Sequence, residues 1–478
     1  MIVCDSYKGK RVAVFGLGKS GLSSARSLRA GGADVLAWDD GVEAREAAAA
    51  EGIALVDLRT AAWHDIAALV LAPGVPLTHP EPHEVVRLAQ RLDVPIIGDV
   101  ELLAQAVAER RGNGWPRIVA ITGTNGKSTT TALTAHILKC CGLDAHACGN
   151  IGMPVLDLPE PSARTVFVIE MSSYQLDLTQ SLAADVAILL NITPDHLDRH
   201  GDMDGYVTAK RRVFRGQPPT ATAVIGVDDR YGQQICTDIA ARHEQTVIPV
   251  SVGKALGRGF YVIDGVLYDG VSVPSGTVID LKRAESLPGA HNWQNAAAAF
   301  AAGQALTGNA KGLAQALLAA RGRGPRLQNI ARIGAVRFVH DSRATNADAT
   351  SHALSAFERI YWIAGGRAKD GGIESLTDHL DHVVKAYLIG EAAEAFATSL
   401  EGRVPSELCG TMARAVEAAA ADAASDSHSD PVVVLSPACA SFDQYRNFEL
   451  RGNDFVACVQ ALKDRSGSNG SAAGESAA

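Results

Sequence analysis

The stretch ITGTNGKSTT, residues 121–130, gathers groups that can hold a phosphate: backbone amides around Gly123, Thr124, Asn125 and Gly126, the ammonium of Lys127, and the hydroxyls of Ser128 and Thr129. The apolar run RIVAI leads into it and KSTTTALTAHILKCCG follows, so a strand, a glycine loop, Lys-Ser and a helix come in succession. Amides at a helix N-terminus bind anions, the lysine adds charge, and the serine hydroxyl can ligate Mg2+. The familiar phosphate loop would place its first glycine at Ile121, so this loop is shorter than that pattern. A tight turn with an exposed lysine is the plain alternative, and the loop alone does not name the acceptor of the phosphate.

Gly16-Leu17-Gly18-Lys19-Ser20-Gly21 follows another apolar run, RVAVF, and fits G-x-G-x-x-G, with Asp39 and Asp40 about twenty residues on. This is the dinucleotide-binding pattern, whose acidic residue holds a ribose hydroxyl. The same geometry accepts any pyrophosphate, and a turn needed only to pack helix on strand is the alternative. Glu170 closes the run TVFVIE, and a carboxylate at the C-terminal end of a parallel strand stands where ligands bind and could hold Mg2+, a plain surface role being the alternative. The segment NITPDHLDRHG puts Asn191, Asp195, His196, Asp198 and His200 in one loop, which fits metal or substrate contact, or a solvated loop. Lys210, Arg211 and Arg212 read by themselves as a solvated helix face. In PACASFDQYRNFELRG, residues 437–452, small residues let a ligand approach the backbone, Ser441 can hydrogen-bond a carboxylate, and Phe442 or Phe448 can wall a pocket or belong to the core.

Positioning these groups requires strands that end at them. Short apolar runs closed by turn residues alternate with helical stretches along the whole chain, which implies an α/β protein with mostly parallel sheets. At 478 residues the chain is too long for one core. Breaks near Gly112–Pro116 and Gly322–Pro325 divide it into three consecutive domains: residues 1–111, Rossmann-like; 112–322, a central domain of the phosphate-loop ATPase type; and 323–465, again Rossmann-like. The small, polar stretch 466–478 reads as a disordered tail. With 53 acidic against 44 basic residues, a net charge of -9 speaks against a nucleic-acid or membrane-surface protein. Eight cysteines are scattered without metal-ligand spacing, no signal peptide opens the chain and no apolar run is long enough to span a membrane, so a cytoplasmic location is expected.

Together GTNGKST, EMSSYQLD, NITPDHLDRHG followed by YVTAK, GAHNWQNA, DSRATNADA and LSPACASFDQYRNFELRG resemble the Mur ligase family, from about residue 10 to about residue 460. DS-x-ATN and the last string point to the D-glutamate-adding member, and the short phosphate loop is the family's own form. The resemblance implies an ATP-dependent amide ligase that joins D-glutamate to UDP-N-acetylmuramoyl-L-alanine through an acyl phosphate, acting as a monomer. It implies that Leu17, Gly18, Lys19, Ser20, Asp39, Asp40, Gly41, Asn150 and His196 hold the UDP substrate. Residues 123–129, Asn292, Asn295, Arg326 and Asp341 would hold ATP. Ser128 and Glu170 would bind one Mg2+, and His196 with a CO2-carbamylated Lys210 a second. Lys127, His196 and Lys210 would be catalytic, and Thr345, Lys369, Ser441, Phe442 and Phe448 would form the D-glutamate pocket. The two breaks would be hinges for closure of the third domain. The chain departs from the family at Arg343, where lysine is usual, at Arg367, where an acidic residue is usual, and at Gly324-Pro325-Arg326, where a histidine is missing. The competing expectations are a sister ligase with another acceptor and a nicotinamide-dependent oxidoreductase.

Overall fold

Continuous apolar runs such as RVAVF, RIVAIT, TVFVIE and VVVL become strands buried on both faces, as parallel sheets covered by helices require. The computed structural model describes residues 1–108, 116–242, 244–272, 276–284, 287, 289–320, 328–369, 371–427 and 430–472, with side chains to residue 465. Residues 112–115 of the first expected hinge, all of the second, and Arg326 lie outside the described residues.

Two compact units divide the chain, Met1–Arg323 and Gly324–Ala478. The first contains two sheets. A four-stranded parallel sheet runs in the order Asp34–Trp38, Arg11–Phe15, Ile66–Leu71, Ile96–Ile97. In the nine-stranded sheet Arg117–Thr122 lies between Thr165–Glu170 and Val186–Leu189, all parallel, and only its far edge, Phe260–Ile263 to Gly276–Asp280, turns antiparallel. The phosphate loop, Glu170 and the loop carrying His196 therefore leave the C-terminal ends of three adjacent strands, where ligands bind in such sheets. Helix Ala290–Thr307 packs on helix Lys127–Cys140, its buried alanines 296–299 allowing close approach.

The two sheets of this unit are tied by polar contacts. Buried Glu101 accepts from Gln180 N at 2.6 Å, Ser181 N at 2.9 Å and Ser181 Oγ at 2.6 Å. Asp157 accepts from Ser23 Oγ at 2.8 Å and pairs with Arg26 at 3.0 Å.

The second unit has one six-stranded sheet, ordered Gln328–Ile333, Val336–His340, Val432–Leu435, Ile360–Gly365, Val383–Ile389, Ser406–Gly410, parallel except for its first strand. Its last helix spans Phe448–Ala472, so residues 466–472 of the expected tail continue this helix, while 473–478 lie outside the described residues. Phe455 and Val459 anchor this helix in the core, and once nucleated a helix extends by one hydrogen bond per residue even into poor helix formers.

Candidate active site

The phosphate loop is held from below and from the side. Gly126 adopts φ 84°, and a Cβ there would stand 2.2 Å from Asn295 Oδ1, so the position needs glycine for both backbone and space. Asn295 Oδ1 accepts from Thr130 Oγ1 at 3.1 Å, and Asn292 lies next to it, its Oδ1 3.4 Å from Asn295 Nδ2. Both asparagines are buried beside the loop. Asn191 braces the other side: Thr124 N donates to its carbonyl at 2.9 Å and Asn125 N to Oδ1 at 2.9 Å, while its Nδ2 donates to Gln294 Oε1 at 3.0 Å. Asn191 thus shapes the loop, and Gln294, which the sequence did not single out, fixes Asn191. Ser128 and Thr129 sit in the first helical turn, where amides lack helical acceptors.

Lys127 Nζ donates to Gly123 O at 2.9 Å and to Thr124 O at 2.6 Å. Lys210 Nζ donates to that same Gly123 oxygen at 2.7 Å and lies 4.7 Å from the centre of the Tyr206 ring. Lys210 is 1% exposed, so the basic run at 210–212 is not a uniformly solvated face, and only Arg211 and Arg212 lie partly in solvent, near Asp238 and Asp177. Helix Met203–Arg211 turns Tyr206, Ala209 and Lys210 inward.

Glu170 is 1% exposed; Asn150 Nδ2 donates to Oε1 at 2.9 Å, and Oε2 is buried without a hydrogen-bond partner among the described residues. A buried carboxylate oxygen left over in this way fits a bound cation. No group of three or more His, Cys, Asp or Glu side chains is placed to hold a metal among the described residues. Asn150, expected at the UDP substrate, therefore also orients a candidate metal ligand. His196 has a left-handed backbone, φ 56°, with Nδ1 2.7 Å from the Tyr174 hydroxyl and Nε2 3.6 Å from Asp195 Oδ2. Burial pushes the Tyr174 hydroxyl up, with the Arg199 charge pulling against it, so the phenol stays protonated. His200 is buried against Ser173 Oγ, at 2.9 Å from Nε2, and burial with the charge of Lys210 holds it down at about 4.

At the fingerprint turn Gly16 has φ 89°, and a Cβ there would come within 2.5 Å of Ala72 Cβ. Asp39 accepts from Leu17 N at 2.5 Å and from Gly41 N at 2.7 Å, so its carboxylate ties the two loops together. Gly18 and Lys19 are exposed and Ser20 half-buried at the start of helix Lys19–Ala30, and exposed Asp40 meets His83 Nε2 at 3.1 Å. Arg45, not anticipated from the sequence, donates to the carbonyls of Asp39 and Asp40.

In the second unit Asp341 is buried and accepts from Ser436 Oγ at 3.1 Å. Ser441 is buried, Phe442 is 66% exposed, and Thr345, Lys369 and Phe448 are half-buried. The Arg343 guanidinium carbon, at the position where the chain departs from the family, lies 5.7 Å from the centre of the Phe448 ring. Behind these loops is Arg451, 1% exposed, whose guanidinium donates to Ser342 O at 2.9 Å, Ser342 Oγ at 3.0 Å and Ala440 O at 3.3 Å; burial pulls it down to about 10. It holds the segments bearing Thr345 and Ser441 together. Arg367 pairs on the surface with Glu391 at 3.1 Å.

The family model Mur ligase middle domain matches residues 121–303. A UDP-N-acetylmuramoylalanine–D-glutamate ligase of Caulobacter vibrioides is 53% identical over 462 residues, 97% of this chain and 98% of that one. The ligase of the same name from Rhizobium meliloti is 51% identical over 464 residues, 97% of this chain and 99% of its own. Among solved structures, a UDP-N-acetylmuramate-alanine ligase of Thermotoga maritima overlays with a TM-score of 0.58 at 17% identity, covering 95% of this chain and 100% of that one, a likeness of fold. With half its residues shared almost from end to end with such relatives, this chain belongs to the Mur ligase family, beside the UDP-N-acetylmuramoylalanine–D-glutamate ligases.

Proposed function

We propose that the protein is an ATP-dependent ligase that forms the amide bond between UDP-N-acetylmuramoyl-L-alanine and D-glutamate, in cytoplasmic synthesis of peptidoglycan precursor, as a monomer of three domains divided at 111/112 and 322/323. The observation that carries this reading is the 53% identity over 97% of the chain to a ligase of that name.

In this reading the terminal phosphoryl group of ATP passes to the L-alanyl carboxylate, giving ADP and an acyl phosphate. The amine of D-glutamate then attacks the activated carbonyl, and phosphate leaves. Mg2+, when bound, would offset the repulsion between phosphates and carboxylate and supply positive charge to the transferring group. Glu170, through its buried Oε2, and the Ser128 hydroxyl would hold one ion; His196 and Lys210, carbamylated by CO2 with loss of a proton, would hold the other. Lys127 and the amides of residues 123–129 would bind the phosphates, with Asn292 and Asn295 beside them. Arg326 and Asp341 would complete the ATP contacts. Leu17, Gly18, Lys19, Ser20, Asp39–Gly41, Asn150 and His196 would receive the UDP substrate. Thr345, Lys369, Ser441, Phe442 and Phe448 would receive D-glutamate.

Phosphate release from ATP and Mg2+, measured with UDP-N-acetylmuramoyl-L-alanine and either D- or L-glutamate, tests the assignment. Release that depends on D-glutamate is expected. No release with D-glutamate, or equal release with another amino acid, would overturn it, and saturable NADH binding would favour the oxidoreductase instead.

A further inference from the structure

The phosphate loop is zipped to the segment that follows strand Val186–Leu189. Thr124 N donates to Asn191 O at 2.9 Å, Asn125 N to Asn191 Oδ1 at 2.9 Å, and Thr193 N to Thr124 Oγ1 at 3.0 Å. Asn191 Nδ2 donates back to Asn125 O at 3.3 Å, so one side chain meets both the N–H and the carbonyl of Asn125. Gln294 holds Asn191 in turn: its Oε1 accepts from Asn191 Nδ2 at 3.0 Å, and its Nε2 donates to Asp228 Oδ2 at 3.0 Å. Asp228 is exposed yet fixed, because its carboxylate accepts from Ser251 Oγ at 2.6 Å and from Val252 N at 3.0 Å. Beside it Asp229 Oδ2 accepts from Ile192 N at 3.0 Å, so the same turn holds the zipped segment at a second point.

These contacts have one direction. A carboxylate only accepts, so the Gln294 amide turns its NH2 to Asp228 and its oxygen to Asn191. That oxygen accepts as well, so Asn191 turns its NH2 to Gln294 and keeps Oδ1 for the N–H of Asn125. The backbone N–H at the other end demands the same order. With the Asn191 amide turned over, its NH2 would face the Asn125 N–H and its oxygen the oxygen of Gln294, two repulsive pairs in place of two bonds. Helix Ala290–Thr307 therefore reaches the loop twice, directly through Asn295 against Gly126 and, by way of Asn191, through Gln294.

We propose that Gln294 is a positioning residue for nucleotide binding, passing the polarity set by Asp228 through Asn191 to Asn125 and so fixing the phosphate loop. This rests on the reading of that loop as the ATP site. Binding of a fluorescent ATP analogue with Mg2+ to the full-length protein is measured for wild type, Gln294→Met, Gln294→Glu, Asp228→Asn and the double variant Gln294→Glu/Asp228→Asn. Gln294→Met keeps the length and loses both bonds, whereas Gln294→Glu keeps the shape and sets a carboxylate against Asp228. Each is expected to weaken binding about tenfold, with the thermal midpoint unchanged. In the double variant the amide introduced at 228 can donate to the carboxylate introduced at 294, which still accepts from Asn191, so most of the affinity should return. Gln294→Met binding as tightly as wild type would overturn the proposal, and so would a double variant no tighter than Gln294→Glu. Asp228→Asn alone tightening binding by as much as it does beside Gln294→Glu would assign the rescue to charge and overturn it too. A wild type that does not bind the analogue would overturn the ATP reading of the loop, and the proposal with it.

Discussion

Lys127 and Lys210 donate to one and the same oxygen, Gly123 O, at 2.9 and 2.7 Å. Two ammonium groups sharing an acceptor repel each other, and Lys210, at 1% exposure, has little water to screen that repulsion. Carbamylation would relieve it, turning Lys210 from a cation into an anion while leaving an N–H able to donate to Gly123 O. With 13C-labelled bicarbonate the wild type should show a carbamate carbon resonance that Lys210→Arg lacks, and Lys210→Ala should lose phosphate release by at least about 100-fold. A Lys210→Ala enzyme of undiminished activity would refute the assignment.

Gly126 meets two demands at once, a φ of 84° and a space that Asn295 Oδ1 would leave only 2.2 Å from a Cβ. Gly126→Ala is expected to cost about 1–2 kcal/mol from the left-handed backbone alone. Because Asn295 must also move, the KM for ATP should rise by about tenfold or more, readable in initial-rate assays. Normal ATP affinity in a destabilised variant would mean that the loop relaxes without disturbing the nucleotide site.

The strand, loop and helix around Lys127 were legible because each has a local signature: an apolar run, glycines, then Lys-Ser. Asn292 and Asn295 stand out only through the family motif, and the fold adds that Asn295 accepts from Thr130 next to the loop. What escaped the sequence depends on partners far away along the chain. Asn191 looks like a ligand until Gln294 and the amide of Asn125 are seen to occupy it. Lys210, read by its neighbours, belongs to a solvated face; only the fold of helix Met203–Arg211 shows it turned inward. The fingerprint spacing singles out Asp39, and the fold adds that its oxygens accept from Leu17 N and Gly41 N. Composition describes the propensity of residues 466–472 themselves and not the anchored helix that propagates into them.

Glu101 tests how the two sheets of the first unit are joined. Its carboxylate accepts from two backbone amides and one hydroxyl across the junction while 3% exposed. Glu101→Ala leaves those donors without their acceptor, each costing roughly 1–3 kcal/mol if water cannot reach it. A loss of about 3 kcal/mol in the unfolding of this unit is expected by urea denaturation, with Glu101→Gln intermediate because one oxygen still accepts. A loss below about 0.5 kcal/mol would show that water replaces the carboxylate freely.

His200 gives the acid side of the stability profile. In the protein with Lys210 as the ammonium, burial first, and then the positive charges of Lys210, Arg199, His79 and Arg212, hold it at about 4, against 6.5 for a free imidazole. The unfolded chain therefore binds the proton more readily than the folded one between these values, so stability rises with pH across that window. The neutral ring's contribution is fully present above about 6.5 and is lost as pH falls toward 4. His200→Gln, whose amide can still reach Ser173, does not titrate. On going from pH 7 to pH 5 the wild type should lose more thermal stability than the variant, by roughly 2–4 °C, measured by differential scanning calorimetry. Parallel losses in the two proteins would place the acid sensitivity on other groups.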